Sequence, residues 1–438
     1  MSAMQSILSY AMETAQKLGA QAVRASSSQI QTFDLGWHQQ KIARMQSHHS
    51  SDLSLYLYVD GRYSSFSTSD LRKEALVSFI RQSIEMTRMF EPDECRGLAD
   101  PEKYANRAEI DLELFDDKIA DLKPEYHIEK CKTLENLGCS HTEIPIFDVS
   151  ASSSHSIYTD MLATSNGFFG IERYSFYNQS LSLVLNDGDK KSSYGCNSSV
   201  HHLTDIVSEE ELANKASKYA SYKLHTKKLA SGKRTAIMDR DVATYFLYKY
   251  LIPLSGMSLV NSQSYFLNKI GKKLGSDLFT LMDMPHIIRG SNSCLFDAEG
   301  MSTHDATIFE NGVLKQYYLD TYSARKLKLE PTHGYNTNLV LKPGLRSLDA
   351  MIADVKDGIY IISFLGGSQD NTSGDFSFGI SGVAIQDGKL TQNVAEMNIT
   401  GNFLDIWNRL IEVGNDPRLD FALRIPSLRF DDVSFSGM

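Results

Sequence analysis

Much is missing from this sequence that would place it in a specialised class. Cysteine is scarce, with five in 438 residues, at positions 95, 131, 139, 196 and 294. The number is odd and no two stand at C-x-x-C spacing, so the expectation is reduced thiols in a reducing compartment. No apolar run approaches the ~20 residues that cross a bilayer, and the first residues lack a basic stretch followed by an apolar one. A membrane span and a secretory signal are therefore not expected, and a cytoplasmic protein is. Positive charge is not in excess either. The formal net charge is -10, which argues against a general nucleic-acid binder. No G-x-S-x-G stretch occurs, so nothing supports a serine nucleophile on a strand-to-helix elbow.

What is present is ordinary globular material, 42% hydrophobic and 22% charged, in a length that suits about three domains of ~150 residues. Apolar residues at Ile7, Leu8, Ala11, Ala15 and Leu18 predict a helix that Gly19 ends. Val23–Leu35 and Lys41–Gln46 read as strands. Leu53–Ser67, LSLYLYVDGRYSSFS, reads as a hairpin turning at Asp60-Gly61. Ser69 or Asp70 then caps a helix with Leu76, Phe79, Ile80 and Ile84 inward. A charged stretch with Pro92 and Pro101 is the first linker. The layout then recurs. Pro124 opens a helix that Gly138 closes, Phe147–Ser156 and Ile171–Tyr177 read as strands, and LSLVLNDGDKKSSYG, Leu181–Gly195, matches the earlier hairpin 128 residues on. A helix over Glu209–Leu224 follows. Two like modules could frame a cleft between them.

Beyond a boundary at His225–Lys233 the chain is strand-rich, with a helix at Val242–Leu251, hairpin turns at Asn311-Gly312 and Asp387-Gly388, and a further helix at Leu404–Val413. The expected fold class is α+β: duplicated helix–β-meander–helix modules at 1–90 and 110–225, then a mainly antiparallel β domain at 233–438.

The most informative stretch is Ile359–Ile385, IYIISFLGGSQDNTSGDFSFGISGVAI. An apolar strand stops at Gly366-Gly367, and a polar loop follows. Strict alternation then puts Phe376, Phe378, Ile380 and Ala384 on one face and Asp375, Ser377, Gly379 and Ser381 on the other. The second face carries little side-chain volume. It suits either close packing under another sheet or a groove for an extended peptide.

LGGSQDNTSGDFSFGISG, together with FDAEG at Phe296–Gly300, TYSARKL at Thr321–Leu327, Gly401-Asn402, Gly414–Asp416 and Pro426–Leu428, resembles the glycine-rich and flanking blocks of the TldD/PmbA peptidase family, also known as modulators of DNA gyrase, in its PmbA (TldE) branch. The resemblance is sharp from Ser264 to the C-terminus and rests on layout upstream. One departure is Phe378, where the branch carries arginine. In the TldD branch the resemblance implies an H-E-x-x-x-H helix that holds zinc, assisted by a later cysteine. Here the corresponding helix, Asp239–Leu251, has no histidine, no His-Glu pair occurs in the chain, and no cysteine follows Cys294. The resemblance therefore implies a chain with no metal or other cofactor of its own, partnered by a TldD-like subunit that brings zinc, and acting with it on extended or unfolded peptides in peptide maturation and proteolysis. Alternatives are a non-enzymatic binding protein acting alone or as a homodimer, and an independent hydrolase.

Other candidates are weaker. Asp297 and Glu299 would share a face if they lie on a strand and could form an acid/base pair, although the adjacent Gly300 favours turn residues. Arg325 could pair with one of these carboxylates. The adjacent pairs His48-His49 and His201-His202 would point to opposite faces of strands and could not readily share a metal. His286, His304 and His333 border loops and could meet in space; surface or hydrogen-bonding roles are expected of them.

Overall fold

The computed structural model describes residues 3–437. The N-terminal part is built from α1 (Ala3–Lys17), β1 (Ala22–His38), β2 (Lys41–Val59), β3 (Arg62–Thr68), α2 (Lys73–Thr87), α3 (Asp117–Ala120), α4 (Pro124–Ser140), β4 (Ile146–Thr164), β5 (Phe169–Asp187), β6 (Lys190–Val200) and α5 (Glu209–Ser221). Its six strands form one antiparallel sheet in the order β3-β2-β1-β4-β5-β6. The order helix, three-strand meander, helix thus occurs twice, and the two meanders meet where β1 pairs with β4 from Arg24↔Thr164 to His38↔Ser150. They are joined edge to edge, so no cleft lies between them, contrary to expectation.

Local chemistry explains most elements. Alternation puts Leu53, Leu55 and Leu57 inward in the first meander and Leu181, Leu183 and Leu185 inward in the second, all essentially inaccessible. Each buried leucine contributes on the order of 2 kcal/mol. Helices α1 and α2 cover the first set and α4 and α5 the second. Three hairpin loops, Asp60-Gly61, Asn311-Gly312 and Asp387-Gly388, have positive φ at both residues, the geometry that matches strand twist. The second meander turns at Gly188-Asp189, between the paired residues Asp187 and Lys190.

Several boundaries differ from the sequence expectation. Strands predicted as separate pieces are continuous, because 19-residue β2, β4 and β5 pair along most of their length with a neighbour. Helix α4 runs through Gly138 to Ser140. Helix α2 starts after Arg72 with no side-chain cap, since Asp70 instead accepts from the Arg72 backbone and guanidinium.

The C-terminal part comprises β7 (Gly232–Met238), α6 (Arg240–Leu251), α7 (Gly256–Val260), β8 (Leu281–Asp283), β9 (Ala306–Glu310), β10 (Val313–Leu314), α8 (Thr321–Leu327), β11 (Leu339–Leu341), α9 (Leu348–Ala353), β12 (Asp357–Gln369), β13 (Asp375–Gln386), β14 (Lys389–Asn402), α10 (Phe403–Ile406), β15 (Leu410–Val413), β16 (Leu423–Arg424) and β17 (Leu428–Ser436). The predicted helix at Leu404–Val413 is one short turn followed by a strand, because β15 pairs with β17. The main sheet runs β14-β13-β12-β7-β17-β15, and a further β14–β17 pairing closes it into a barrel. Only β7–β12 is parallel in this sheet. Phe246, Phe376, Phe403, Trp407 and Phe430 pack in its core.

Candidate functional site

The glycine-rich stretch forms the β12–β13 hairpin, and the strand does not stop at Gly366-Gly367. Both glycines have positive φ, +101° and +146°, and a Cβ on Gly367 would lie 2.3 Å from the Ser377 carbonyl oxygen. Only glycine accommodates both demands. They form a bulge after which β12 resumes pairing, from Gly367↔Phe378 to Gln369↔Phe376.

Strand β12 pairs with β7 only over Gly358–Ile361. Beyond Ile361 its edge on that side has no strand beside it among the described residues. Helix α6 packs there instead. The Asp239 N–H donates to the Ile361 carbonyl (3.0 Å), Gln369 Nε2 donates to the Lys249 carbonyl (3.2 Å), and the Tyr245 ring lies 5.8 Å from that of Phe364. Tyr245, Tyr248 and Leu365 are about half exposed. The result is an open aromatic and aliphatic surface beside main-chain groups without a strand partner, which is chemistry suited to an extended peptide.

The small-residue face of β13 opens progressively. Ser381 is buried and its Oγ has no partner. Gly379 and Ser377 are half-buried, and Asp375 is exposed. A Cβ at Gly379 would meet Leu365 Cβ at 3.5 Å and Asn398 Oδ1 at 3.6 Å, ordinary contact, so the small face has room for a methyl but little beyond it. Asp375 serves the turn: Asn402 Nδ2 donates to Oδ1 (2.8 Å) and Ser373 Oγ to Oδ2 (2.9 Å).

Asp297 and Glu299 lie in a turn, not on a strand. Asp297 Oδ1 accepts the N–H groups of Glu299 (2.9 Å) and Met301 (3.0 Å). Burial pushes its carboxyl up to about 7, helped by the nearby Glu299 charge and opposed by these N–H groups and by Arg24. Arg325 pairs with neither carboxylate. Its guanidinium reaches the Leu98 carbonyl (2.9 Å) in the first linker, because α8 packs against that linker. The partner of Glu299 is Arg24, at 3.5 Å, with both side chains nearly buried and the guanidinium 4.0 Å over the Tyr56 ring. Sequence reading missed Arg24, Tyr245 and Tyr248. A lone arginine near the start of β1, and Tyr245 and Tyr248 on the face of α6 opposite its buried Val242, Phe246 and Leu247, were the available signals.

His286, His304 and His333 do gather. The rings of His304 and His333 are 4.8 Å apart, His333 Nε2 accepts the His304 N–H (3.3 Å), and His286 Nε2 is 3.1 Å from Thr303 Oγ1. Burial, with the two neighbouring imidazoles, lowers His333 to about 4. Two of the ring nitrogens are thereby engaged by other groups. Among the described residues no three His, Cys, Asp or Glu side chains are arranged to hold a metal ion.

Residues 117–224 match the PmbA/TldA metallopeptidase central domain and residues 231–437 the C-terminal domain of the same family. The chain belongs to the PmbA/TldD family. Among its family relatives, the metalloprotease PmbA homologue of Haemophilus influenzae is 27% identical over 98% of this chain and 95% of its own. The metalloprotease PmbA of Escherichia coli O157:H7 is 27% identical over 88% and 85%. A crystal structure from Bacteroides thetaiotaomicron, described as a candidate modulator of DNA gyrase, superposes over the whole of both chains with a TM-score of 0.96 at 37% identity. The TldE structure from Thermococcus kodakarensis superposes over both whole chains with a TM-score of 0.87 at 18% identity, which speaks to fold. A metallopeptidase metal needs about four N, S or O donors. The outward face of α6 offers Tyr245 and Tyr248 and no imidazole, so the residues there do not fit zinc.

Proposed function

We propose that this chain is a PmbA/TldE-type subunit of a cytoplasmic metallopeptidase, without a zinc site of its own, that works with a TldD-like chain on extended or unfolded peptides. The TldD-like chain supplies the metal-activated water. This chain supplies part of the substrate chamber, where the free edge of β12, the small face of β13 and the two tyrosines of α6 hold peptide largely through main-chain hydrogen bonds, tolerant of sequence. The observation that carries the reading is the pairing of a metallopeptidase family with an α6 surface that offers tyrosines in place of metal ligands. Any effect on DNA gyrase would be indirect, given the acidic net charge of -10.

The test is elemental analysis of the pure chain, then a peptidase assay with and without a TldD-like partner. The expected result is no stoichiometric zinc, negligible cleavage alone, and chelator-sensitive cleavage on mixing. One zinc per chain with chelator-sensitive activity in isolation would overturn the proposal. Gly379→Val should weaken peptide or partner binding in a protein that still folds; unchanged binding would remove β13 from the groove. A non-enzymatic binding protein, acting alone or as a homodimer, is the outcome if no TldD-like chain associates.

A further inference from the structure

A second trough lies on the N-terminal sheet and shares no lining residue with β12. Strand β5 pairs with β4 along its whole length, but β6 covers its other edge only from Tyr177 onward. The segment Phe169–Tyr174 therefore has no facing strand among the described residues. The linker between the two meanders meets this edge at its Ser175 end, where the Ser175 N–H donates to the Leu114 carbonyl (3.0 Å) and the Asp116 N–H donates to Ser175 Oγ (2.9 Å). Main-chain groups alternate sides along a strand, so those of Arg173, Ile171 and Phe169 also point to this edge.

Two cavities, of about 510 and 770 Å³, lie between this edge, the linker and Leu295, and they share Ile110, Asp111 and Leu295 in their walls. The wall is apolar on one side: Phe169, Ile171 and Ile110 are all between a third and a half exposed. It is acidic on another. Glu109 and Asp111 alternate with the linker's apolar residues, and Glu172 lies on the opposite face of β5 from Ile171. Glu172 accepts the Leu295 N–H at 3.3 Å and has no ion pair among the described residues. Arg107 and Arg173, the basic groups nearby, lie over the rings of Phe296 and Phe115.

We propose that this trough binds an extended peptide segment that adds as a strand to β5, with apolar side chains against Phe169 and Ile171 and lysine or arginine directed to Glu172. An added strand presents side chains alternately to the two faces, which fits an apolar face opposite Ile171 and a carboxylate opposite it on the other side. Burial, with the Asp160 carboxylate opposite it on β4, pushes the Glu172 carboxyl up to about 7 against the Leu295 N–H and the Arg107 charge; a cation beside it would draw the carboxylate back to its ionised form. The trough is separate from the β12–β13 groove and does not depend on the peptidase reading.

The test is fluorescence anisotropy with fluorescein-labelled octapeptides of alternating valine and lysine, and of alternating valine and glutamate. The lysine peptide should bind about tenfold more tightly, a difference of roughly 1.4 kcal/mol. Glu172→Gln should remove most of that preference, and Ile171→Lys, at an exposed position, should weaken binding about tenfold by setting a charge against the peptide's valine face. Between pH 6 and 8 the wild type should bind the lysine peptide more tightly as pH rises, while Glu172→Gln should not. Gly379→Val should leave the preference for the lysine peptide over the glutamate peptide unchanged, which separates it from the groove at β13. Equal affinity of wild type and Glu172→Gln for the lysine peptide would overturn the proposal. So would loss of the lysine-over-glutamate preference in Gly379→Val, or a dimer in solution that Ile171→Lys dissociates, which would make a second copy the occupant.

Discussion

Residues 3–87 and 124–221 share one layout, and the LSL of each meander puts its leucines inward, yet the two regions attach to the rest of the chain differently. The first attaches through strands and linker: Arg24 of β1 reaches Glu299, and Tyr322 Oη donates to Asp93 (3.0 Å). Its helices α1 and α2 cover its own strands and the Met161–Ala163 end of β4. The second attaches through a helix. Tyr219 of α5 and Tyr360 of β12 both donate to Asp239 Oδ2, at 2.5 and 2.8 Å, and all three residues are buried. Beside them Lys215 pairs with Asp241 at 2.6 Å, and burial, outweighed by Lys215, Arg418 and Arg240, leaves the Asp241 carboxyl below its usual value. The second region also holds an imidazole pair, where the first buries hydroxyls such as those of Ser64, Ser83 and Thr87. His127, fully buried, bonds Ser153 Oγ (2.8 Å) and His155 Nδ1 (2.9 Å), and Ser153 bonds Tyr177 Oη (2.9 Å). The same meander can therefore meet the C-terminal domain through a strand arginine and a linker, or through a helix whose tyrosine is buried against it.

Four experiments break or sharpen this comparison. Asp239→Ala should have the largest effect. It leaves the two buried tyrosine hydroxyls with only each other (2.7 Å) and removes the side chain that caps α6, at a cost of about 3 kcal/mol read by denaturant unfolding. A cost under about 1 kcal/mol would mean that α5 is not the anchor. Leu55→Ala and Leu183→Ala come next, at about 3 kcal/mol each. Near-equal values support equivalent cores, and a twofold disparity breaks the likeness.

Acid should then separate the two. Burial, with the nearby His155, holds His127 at about 4, below its usual 6.5. A depressed pKa means that the folded state binds fewer protons than the unfolded one. The stabilisation is complete above about 6.5 and is lost as pH falls from there towards about 4, on the order of 2 kcal/mol in all. Trp37 packs in the second core, so its fluorescence should report loss there first, and His127→Gln should flatten the slope. A first core that loosens at the same pH would contradict this. The smallest effect is expected for Glu299→Gln, about 1 kcal/mol, confined to the contact of the first region with the C-terminal domain. Hydrogen exchange should rise around Arg24 and leave α5 unchanged.

The candidate groove was partly legible. Alternation in Asp375–Ser381 identified the small face, because a period of two is written in adjacent residues. That Asp375 would be taken up by Asn402, or that Arg24 and not Arg325 would face Glu299, was not. Those contacts cross long sequence separations and leave no periodic mark.

By itself the sequence determined what lies within one turn or one strand. The paired positive-φ loops follow from Asp-Gly and Asn-Gly, the inward leucines from alternation, the absence of imidazole on α6 from composition, and the repeated layout from two matching hairpins. Only the tertiary structure decided that the two meanders share one sheet through β1 and β4, that β17 returns to close the barrel against β14, that Asp239 receives tyrosines from two domains, and that β12 and β5 each keep a stretch of edge with no strand beside it among the described residues. The physical reason is range. Backbone preference and side-chain periodicity act over a few residues, whereas strand partners and buried ion pairs are chosen by the free energy of packing the whole chain.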